Sequence, residues 1–505
     1  MLRLYDTLTK KVRPFKPLKA GPVTIYSCGP TVYNYQHIGN MRKYLADDVL
    51  VRVLQHAGFA VRRIVNITDV GHLTQDEFDQ GEDKIVMAAR KEGKSPLAIA
   101  EFYTKFFLED LARLHAVPPE SYIRATDHIA EMQALTTKLV KKKHAYQTAG
   151  GVYFDVNSFA DYGKLSGNSI ETLRERVRSE LQDAETQEAF AEKRHPVDFA
   201  LWIKAKPNHI LQWPSPWGAG YPGWHIECAA MILKHLGPTI DIHTGGEDHI
   251  FPHHEDEIAE AEAATGKPLA NFWLHVRHLF VDGKKMAKRT GSFVRLADLE
   301  ARGINPLAFR YLVLSTHYRT RLNFTWASLA AANEGWQRFV DVVQRLRENP
   351  LAKASAAPTA AGVPATLTQR LTRIKKDFWA ALEDDLATPK ALASLSEFIG
   401  VANTYVSGHA TLAVRDVLLQ TALEFDEVLA VLPETQEPLP TSEYQKLQAL
   451  LAKRQQLRSQ KKYPESDAVR AEIEQLGFSI QDSQAGVRWV KRATGQSATF
   501  AQDGG

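Results

Sequence analysis

The feature that most constrains the fold is a strand, loop, helix and strand pattern near the start of the chain. Residues 23–26 are β-branched or aromatic and predict a buried strand, which Gly29-Pro30 ends. Apolar residues then recur at helical spacing over 41–56, and 59–67 has the composition of a second strand. This is the unit of a parallel sheet, in which ligands bind at the carboxyl ends of the strands. A site is therefore expected on the loop and at the helix start, which carry Cys28, His37 and Gly39.

Length and charge narrow the class of protein. The 505 residues allow two to four domains, and a formal charge of +3 gives no global signal for nucleic acid. Any RNA-binding surface should be local, with the C-terminal third as the candidate. The only two cysteines, Cys28 and Cys228, make a disulfide framework improbable. Because there is neither an apolar signal segment nor a stretch of about 20 apolar residues, we expect a cytosolic protein.

Two short motifs carry a family resemblance. Cys28 stands at a strand end and is followed nine residues later by His37-Ile38-Gly39-Asn40, and Lys285-Met286-Ala287-Lys288-Arg289 lies far downstream. The first motif resembles the His-Ile-Gly-His loop of class I aminoacyl-tRNA synthetases, and the second resembles their Lys-Met-Ser-Lys-Ser loop. The strand-end cysteine is similar to that of the cysteinyl-tRNA synthetase family in particular. The departures are Asn40, Ala287 and Arg289.

Four residues have the chemistry of a metal site. His253 and Glu257 are four residues apart, so they share one face of a predicted helix. With Cys28 and Cys228 they form a plausible Zn²⁺ set, although lone buried thiols or a surface helix pair would explain each half separately. The resemblance implies that all four are metal ligands and that zinc selects the substrate thiol, since a thiolate prefers Zn²⁺ far more than a hydroxyl does. Because four protein ligands normally mark a closed structural site, Glu257 is hypothesised to be a loose ligand or zinc to become five-coordinate.

The resemblance also implies the residues that handle ATP and cysteine. His37, Gly39 and Asn40 are expected at the triphosphate, where a helix N-terminus favours anions. Lys285 and Lys288 are expected to follow the pyrophosphate, with Lys288 contacting ATP and Mg²⁺ accompanying it. Asp248, after Gly245-Gly246, is the candidate for the ribose hydroxyls, and the cysteine pocket is assigned to Thr68 and Trp224. A solvated basic loop, ordinary turns and a core tryptophan are the plainer alternatives.

The fold class implied is α/β with several parts. We expect a Rossmann-like parallel-sheet catalytic domain with an inserted α+β module, then a helical-bundle anticodon-binding domain and a small C-terminal α+β module. The proposed boundaries are 1–114 and 196–304 for the two catalytic halves, 115–195 for the insertion and linker, 305–432 for the bundle, 443–495 for the terminal module and 496–505 for a disordered tail. Within the terminal module, Arg458, Asp467 and Asp482 fall where the family reads the anticodon.

The expected function is cysteine–tRNA ligation. The implied substrates are L-cysteine, ATP and tRNA(Cys), with one Zn²⁺ per chain and a monomeric state. A related ligase that joins cysteine to an amino sugar is the second hypothesis, but such relatives lack a part like residues 330–505. The third is a paralogue that only binds RNA or cysteine, which the altered positions 40, 287 and 289 favour and the retained lysines and metal positions oppose.

Overall fold

The computed structural model describes residues 1–71, 73–75, 80–180, 192–206, 209–285, 293–347, 362–406, 410–433, 441–460, 462–476, 478–483 and 486–491. These form two compact units, 1–432 and 433–505, which are treated separately.

The described strands and helices follow in chain order. The strands are β1 Arg3–Asp6, β2 Lys11–Pro14, β3 Val23–Ser27, β4 Val61–Ile67, β5 Leu73–Gln75, β6 Gln80–Asp83, β7 Ser121–Arg124, β8 Ala145–Gln147, β9 Gly151–Phe154, β10 Phe199–Lys204, β11 Gly220–Pro222, β12 Ile240–Gly246, β13 Ala270–Val276, β14 Leu279–Val281, β15 Lys284–Lys285, β16 Leu322–Phe324, β17 Phe478–Ser483 and β18 Gly486–Lys491. The α-helices are α1 Ile38–His56, α2 Lys84–Glu92, α3 Pro96–Arg113, α4 Ile129–Lys141, α5 Ile170–Glu180, α6 Trp224–His235, α7 His253–Thr265, α8 Leu296–Glu300, α9 Pro306–Leu314, α10 Trp326–Arg347, α11 Ala365–Glu383, α12 Thr388–Val406, α13 Leu412–Leu429, α14 Thr441–Ser459 and α15 Tyr463–Gln475.

A five-stranded parallel sheet forms the centre of the first unit. Its strand order is β13-β12-β3-β4-β7, and every neighbouring pair is parallel. All five residues of β3 are buried, because successive side chains enter cores on opposite faces: Ile25 joins one and Tyr26 the other. The chain leaves β3 toward β4 on one side and returns later to β12 on the other. This switch in strand order opens a crevice at the carboxyl ends of β3 and β12, the usual ligand position in such sheets.

The predicted strand–helix–strand unit is confirmed, with one change at the helix start. Helix α1 begins at Ile38, because His37 caps it: the Asn40 N–H donates to His37 Nδ1 at 3.1 Å and the His37 N–H donates to Asn40 Oδ1 at 3.2 Å. This reciprocal pair is a capping box made from residues of the His-Ile-Gly-Asn motif. The motif therefore fixes the N-terminus of the helix at the crevice.

The inserted module contains a four-stranded antiparallel sheet in the order β11-β10-β9-β8. Strand β10 comes from the segment that the sequence analysis assigns to the second catalytic half, yet it pairs with β9 of the insertion. Its partners in β9 lie 45–52 positions earlier in the chain, so the pairing depends on tertiary contacts. The sheet of the insertion thus extends past residue 195.

Helices α9–α13 share one hydrophobic core with α1, and α9 and α13 pack directly against it. A buried ion pair fastens the two regions together. The Arg310 guanidinium on α9 contacts the Asp48 carboxylate on α1 and donates to the carbonyl of Leu114 at 2.9 Å. Arg52 Nε donates to the same carboxylate oxygen, Asp48 Oδ2, at 2.9 Å, and Arg52 Nη1 donates to the carbonyl of Glu427 at 2.8 Å. The helix that begins at the crevice is therefore bonded directly to the last turn of the bundle.

The second unit consists of α14, α15 and the hairpin β17–β18. Its small core includes Leu447, Ile473 and Phe478. Across both units, no helix within the described ranges is long and apolar enough to cross a membrane.

Candidate functional site

A cavity of about 650 Å³ lies at the crevice of the parallel sheet. The loop after β3, the start of α1, the end of β12, the start of α6 and the segment between β13 and β14 form its walls. Eight residues singled out from the sequence line this one cavity: Cys28, His37, Gly39, Asn40, Thr68, Trp224, Asp248 and His253. Topology thus brings together residues that lie up to 225 positions apart.

The four expected metal ligands converge at the cavity. One donor atom from each of Cys28, Cys228, His253 and Glu257 lies within 4.8 Å of all the others, and all four residues are buried. His253 Nε2 is 3.0 Å from Glu257 Oε1 and 3.6 Å from Cys228 Sγ, while Cys28 Sγ is 3.9 Å from the same carboxylate oxygen. The helical i,i+4 spacing of His253 and Glu257 therefore does orient both side chains toward the cysteines.

The electrostatics of this group favour a bound cation. Burial raises the pKa of Glu257 well above its usual value, and the neighbouring Cys28 charge raises it further. Burial likewise raises the pKa of Cys228. Burial opposes ionisation of Cys28 as well, but hydrogen bonding from Cys228 and the His254 ring bring its pKa well below the usual value. Two thiolates and a carboxylate cannot all stay ionised here without a cation, so the donor set fits a soft divalent metal such as Zn²⁺.

Histidines that the sequence analysis did not single out surround these donors. His243 Nε2 lies 2.7 Å from Glu257 Oε2, and His254 Nε2 lies 3.2 Å from Cys28 Sγ. A second set of mutually close donors consists of Cys28, His243, His254 and Glu257. Burial lowers the pKa of His243 to about 4. A neutral ring at that position can orient the carboxylate by hydrogen bonding.

These histidines had a weak signal in the sequence. His254 is adjacent to His253, and His243 lies on the strand that precedes the Gly245-Gly246 turn. Neither has the spacing of a metal motif. Their contacts with the donors depend on how α7 packs against β12 and β3, which residue spacing does not reveal.

The walls next to the donors are aromatic and polar. The Trp224 ring stacks on His253 with centroids 4.2 Å apart and planes 16° apart. Thr68 also lines the cavity, and its hydroxyl donates to Glu227 Oε2 at 3.2 Å and accepts from Asn66 Nδ2 at 3.0 Å. The Asn66 amide oxygen accepts from the Gly29 N–H at 2.7 Å, which ties this wall to the loop after β3.

The residues of the cavity at the start of α1 have the features of an anion site. The helix-capping bond uses Nδ1 of His37 as an acceptor, so the neutral ring carries its proton on Nε2. Gly39 lies in the first turn of α1, where backbone N–H groups and the helix dipole favour negative charge. Asp248 folds over Gly246, because a Cβ built on that glycine would lie 2.4 Å from Asp248 Oδ1.

Some expected residues are not placed at this site. Lys288, Met286, Ala287 and Arg289 lie outside the described residues, and for Lys285 only the backbone in β15 is described. In the second unit, Arg458 and Asp467 are exposed on α14 and α15. Asp482 belongs to β17, but its side chain is outside the described part, as is the 496–505 tail.

The fold and the cavity define a class I aminoacyl-tRNA synthetase. Residues 14–334 match the family described as the catalytic domain of class I (C) tRNA synthetases, and residues 377–433 match the DALR domain. The fold is similar to a solved methionyl-tRNA synthetase from Mycobacterium tuberculosis bound by methionyl-adenylate, with a TM-score of 0.59 and 14% identity, covering 82% of this chain and 92% of that one.

Relatives that match over nearly the whole chain identify the family within this class. The chain is 42% identical over 504 residues to a cysteine–tRNA ligase of Chlorobaculum tepidum and 43% identical over 494 residues to one of Thermus thermophilus. Each match covers 97% of this chain and 99% of the relative. The chain belongs to the cysteine–tRNA ligase family and is an aminoacyl-tRNA ligase. The family predicted from the two motifs is confirmed.

Proposed function

We propose that the chain activates L-cysteine with ATP and transfers it to the 3′ adenosine of tRNA(Cys). The observation that carries this proposal is a single cavity that brings two kinds of binding group together. Cys28 and His253 of the thiol, imidazole and carboxylate donor cluster line it, and so do His37 and Gly39 at the N-terminus of α1. One cavity would thus hold a thiol substrate and a triphosphate together.

Cys28, Cys228, His253 and Glu257 would hold one Zn²⁺. When bound, the zinc would supply a Lewis acid that takes the substrate sulfur as a thiolate and so discriminates against serine. The chain's own contribution is orientation. Trp224 stacks on His253, and His243 Nε2 contacts Glu257 Oε2. Supporting contacts of this kind fix the ring and carboxylate orientations of metal ligands.

The first step would depend on positioning and charge rather than on a covalent nucleophile. The cysteine carboxylate attacks the α-phosphate of ATP in line, which forms cysteinyl-adenylate, and the β- and γ-phosphates leave together as pyrophosphate. His37 and the N–H groups at the start of α1 would stabilise the phosphates, and Asp248 would accept from the ribose hydroxyls. Lys285 and Lys288 are proposed to follow the pyrophosphate, with Mg²⁺ bound to the nucleotide.

In the second step a ribose hydroxyl of the terminal adenosine attacks the carbonyl of the adenylate. An ester forms and AMP leaves. The helices over 305–432 and the second unit would bind the anticodon arm, with Arg458, Asp467 and Asp482 as proposed contacts. A monomer is sufficient for this scheme, since one chain carries every residue named in it.

The direct test is ATP-dependent charging of bacterial tRNA with labelled cysteine, with serine as the control amino acid. We expect charging with cysteine only, and about one zinc per chain by elemental analysis. Cysteine-dependent pyrophosphate exchange without charging would shift the proposal to another acceptor. If a folded, zinc-loaded protein shows neither activity, the chain only binds its ligands and the proposal fails.

A further inference from the structure

Arg42 is a buried arginine one turn after the cap of α1. Its side chain is 1% exposed in the folded protein, and its guanidinium contacts four backbone carbonyls. Nη1 donates to the carbonyls of Arg277 and His278, each at 2.7 Å, and Nη2 donates to those of His317, at 3.1 Å, and Thr320. A planar guanidinium can reach several acceptors at once, whereas the point charge of a lysine cannot.

Glu247 holds the same short segment, residues 277–278, through polar groups of the segment that Arg42 does not contact. Its Oε1 accepts from the His278 N–H at 2.7 Å, and its Oε2 lies 2.5 Å from Arg277 Nη1. The carbonyls of residues 277 and 278 therefore bond to Arg42, while the His278 N–H and the Arg277 side chain bond to Glu247. The segment connecting β13 to β14 is clamped by two oppositely charged side chains.

This clamped segment is a wall of the nucleotide cavity. Val276, Arg277, His278 and Leu279 all line it. The segment also continues through β14 to β15, which leads into the Lys-Met-Ala-Lys motif. Since Arg42 belongs to the same helix as the His37–Asn40 cap, it connects the N-terminal part of that helix to this wall.

We propose that Arg42 and Glu247 are positioning residues for ATP, which hold the 276–279 wall against the N-terminus of α1. This inference rests on the proposed activation of cysteine by ATP. Neither residue is expected to contact the reacting atoms. Burial lowers the pKa of Arg42 to about 10, with the Glu247 charge opposing that shift, so the guanidinium stays charged at neutral pH.

The test compares Arg42→Lys with Arg415→Lys in the zinc-loaded, full-length protein. Arg415 is a matched control: it is 9% exposed, and its guanidinium donates to the carbonyls of Arg345 and Leu346 inside the helical bundle. The assay is cysteine-dependent ATP–pyrophosphate exchange with KM measured for each substrate. We expect Arg42→Lys to raise KM for ATP about tenfold and KM for cysteine less than about twofold. Arg415→Lys should change neither constant.

Glu247→Gln provides an independent variant if the lysine variant does not fold. Its KM for ATP should rise in the same selective way, and the double variant should be less impaired than the product of the two single effects. An unchanged KM for ATP in the folded variants, or an equal rise in both KM values, would overturn the proposal. Exchange by the parent protein is measured first: its absence would refute the proposed function, and equilibrium dialysis with ATP would then decide whether Arg42 positions the nucleotide.

Discussion

Thr68→Val tests the proposed cysteine pocket most sharply, because it removes one hydroxyl with almost no change in shape. The hydroxyl is buried, donates to Glu227 Oε2 at 3.2 Å and accepts from Asn66 Nδ2 at 3.0 Å. A bond to a charged group contributes about 1.5–3 kcal/mol and a neutral bond about 1 kcal/mol, so the loss should be roughly 3 kcal/mol. Because Asn66 also accepts from the Gly29 N–H, the loop that carries Cys28 should shift with it.

We expect part of this loss to affect cysteine binding as well as stability. If about half of it does, KM for cysteine in pyrophosphate exchange rises about tenfold, since 1.4 kcal/mol corresponds to a factor of ten. KM for ATP should change little, because the hydrogen bonds of Thr68 lead to Glu227 and Asn66 and not to the helix N-terminus or the 276–279 wall.

Thr136→Val is the matched control for that experiment. Thr136 is also fully buried, but its hydroxyl donates only within its own helix, to the Met132 carbonyl at 2.9 Å. It should lower the free energy of unfolding by about 1 kcal/mol without changing either KM. The reasoning is refuted if Thr68→Val matches this control, with a similar loss of stability and an unchanged KM for cysteine.

Three further predictions concern stability, pH and the metal. Arg310→Met should lower the free energy of unfolding in urea by about 3 kcal/mol, because it leaves the buried Asp48 with one cation fewer, and adding Asp48→Asn should recover part of the loss. Asp110→Asn should stabilise the protein at pH 7 by about 1–2 kcal/mol, because burial raises the pKa of Asp110 to about 6 and makes its ionisation in the folded protein costly. This cost is fully present above about pH 6, so in thermal melts the gain should be constant there, shrink as the pH falls below 6 and vanish near pH 4. Chelation of zinc should lower the melting temperature and make both buried cysteines reactive toward a thiol reagent; thiols that react equally fast before and after chelation would contradict the assigned ligands.

The local pattern was enough to predict the strands and the helix that carry the first site residues in the chain. Strand β3, helix α1 and strand β4 followed from apolar periodicity and from Gly29-Pro30, because these signals depend on neighbours a few residues away. The family followed from motifs of four or five residues. The pairing of β10 with the inserted sheet could not be predicted from local pattern, since a strand's partner depends on the packing of the whole domain.

Local sequence patterns were enough to identify the main chemical groups of the site: two thiols, an i,i+4 histidine and carboxylate, and a glycine at a helix N-terminus. The groups that support them could be identified only in the folded chain. His243 on β12 reaches Glu257 on α7, and Arg42 on α1 reaches the carbonyls of residues 277, 278, 317 and 320, only because these elements pack against one another. Backbone carbonyls have no signature in a sequence, and contacts across more than 200 residues arise from sheet order and packing. The positions of these supporting groups therefore became visible only in the folded chain.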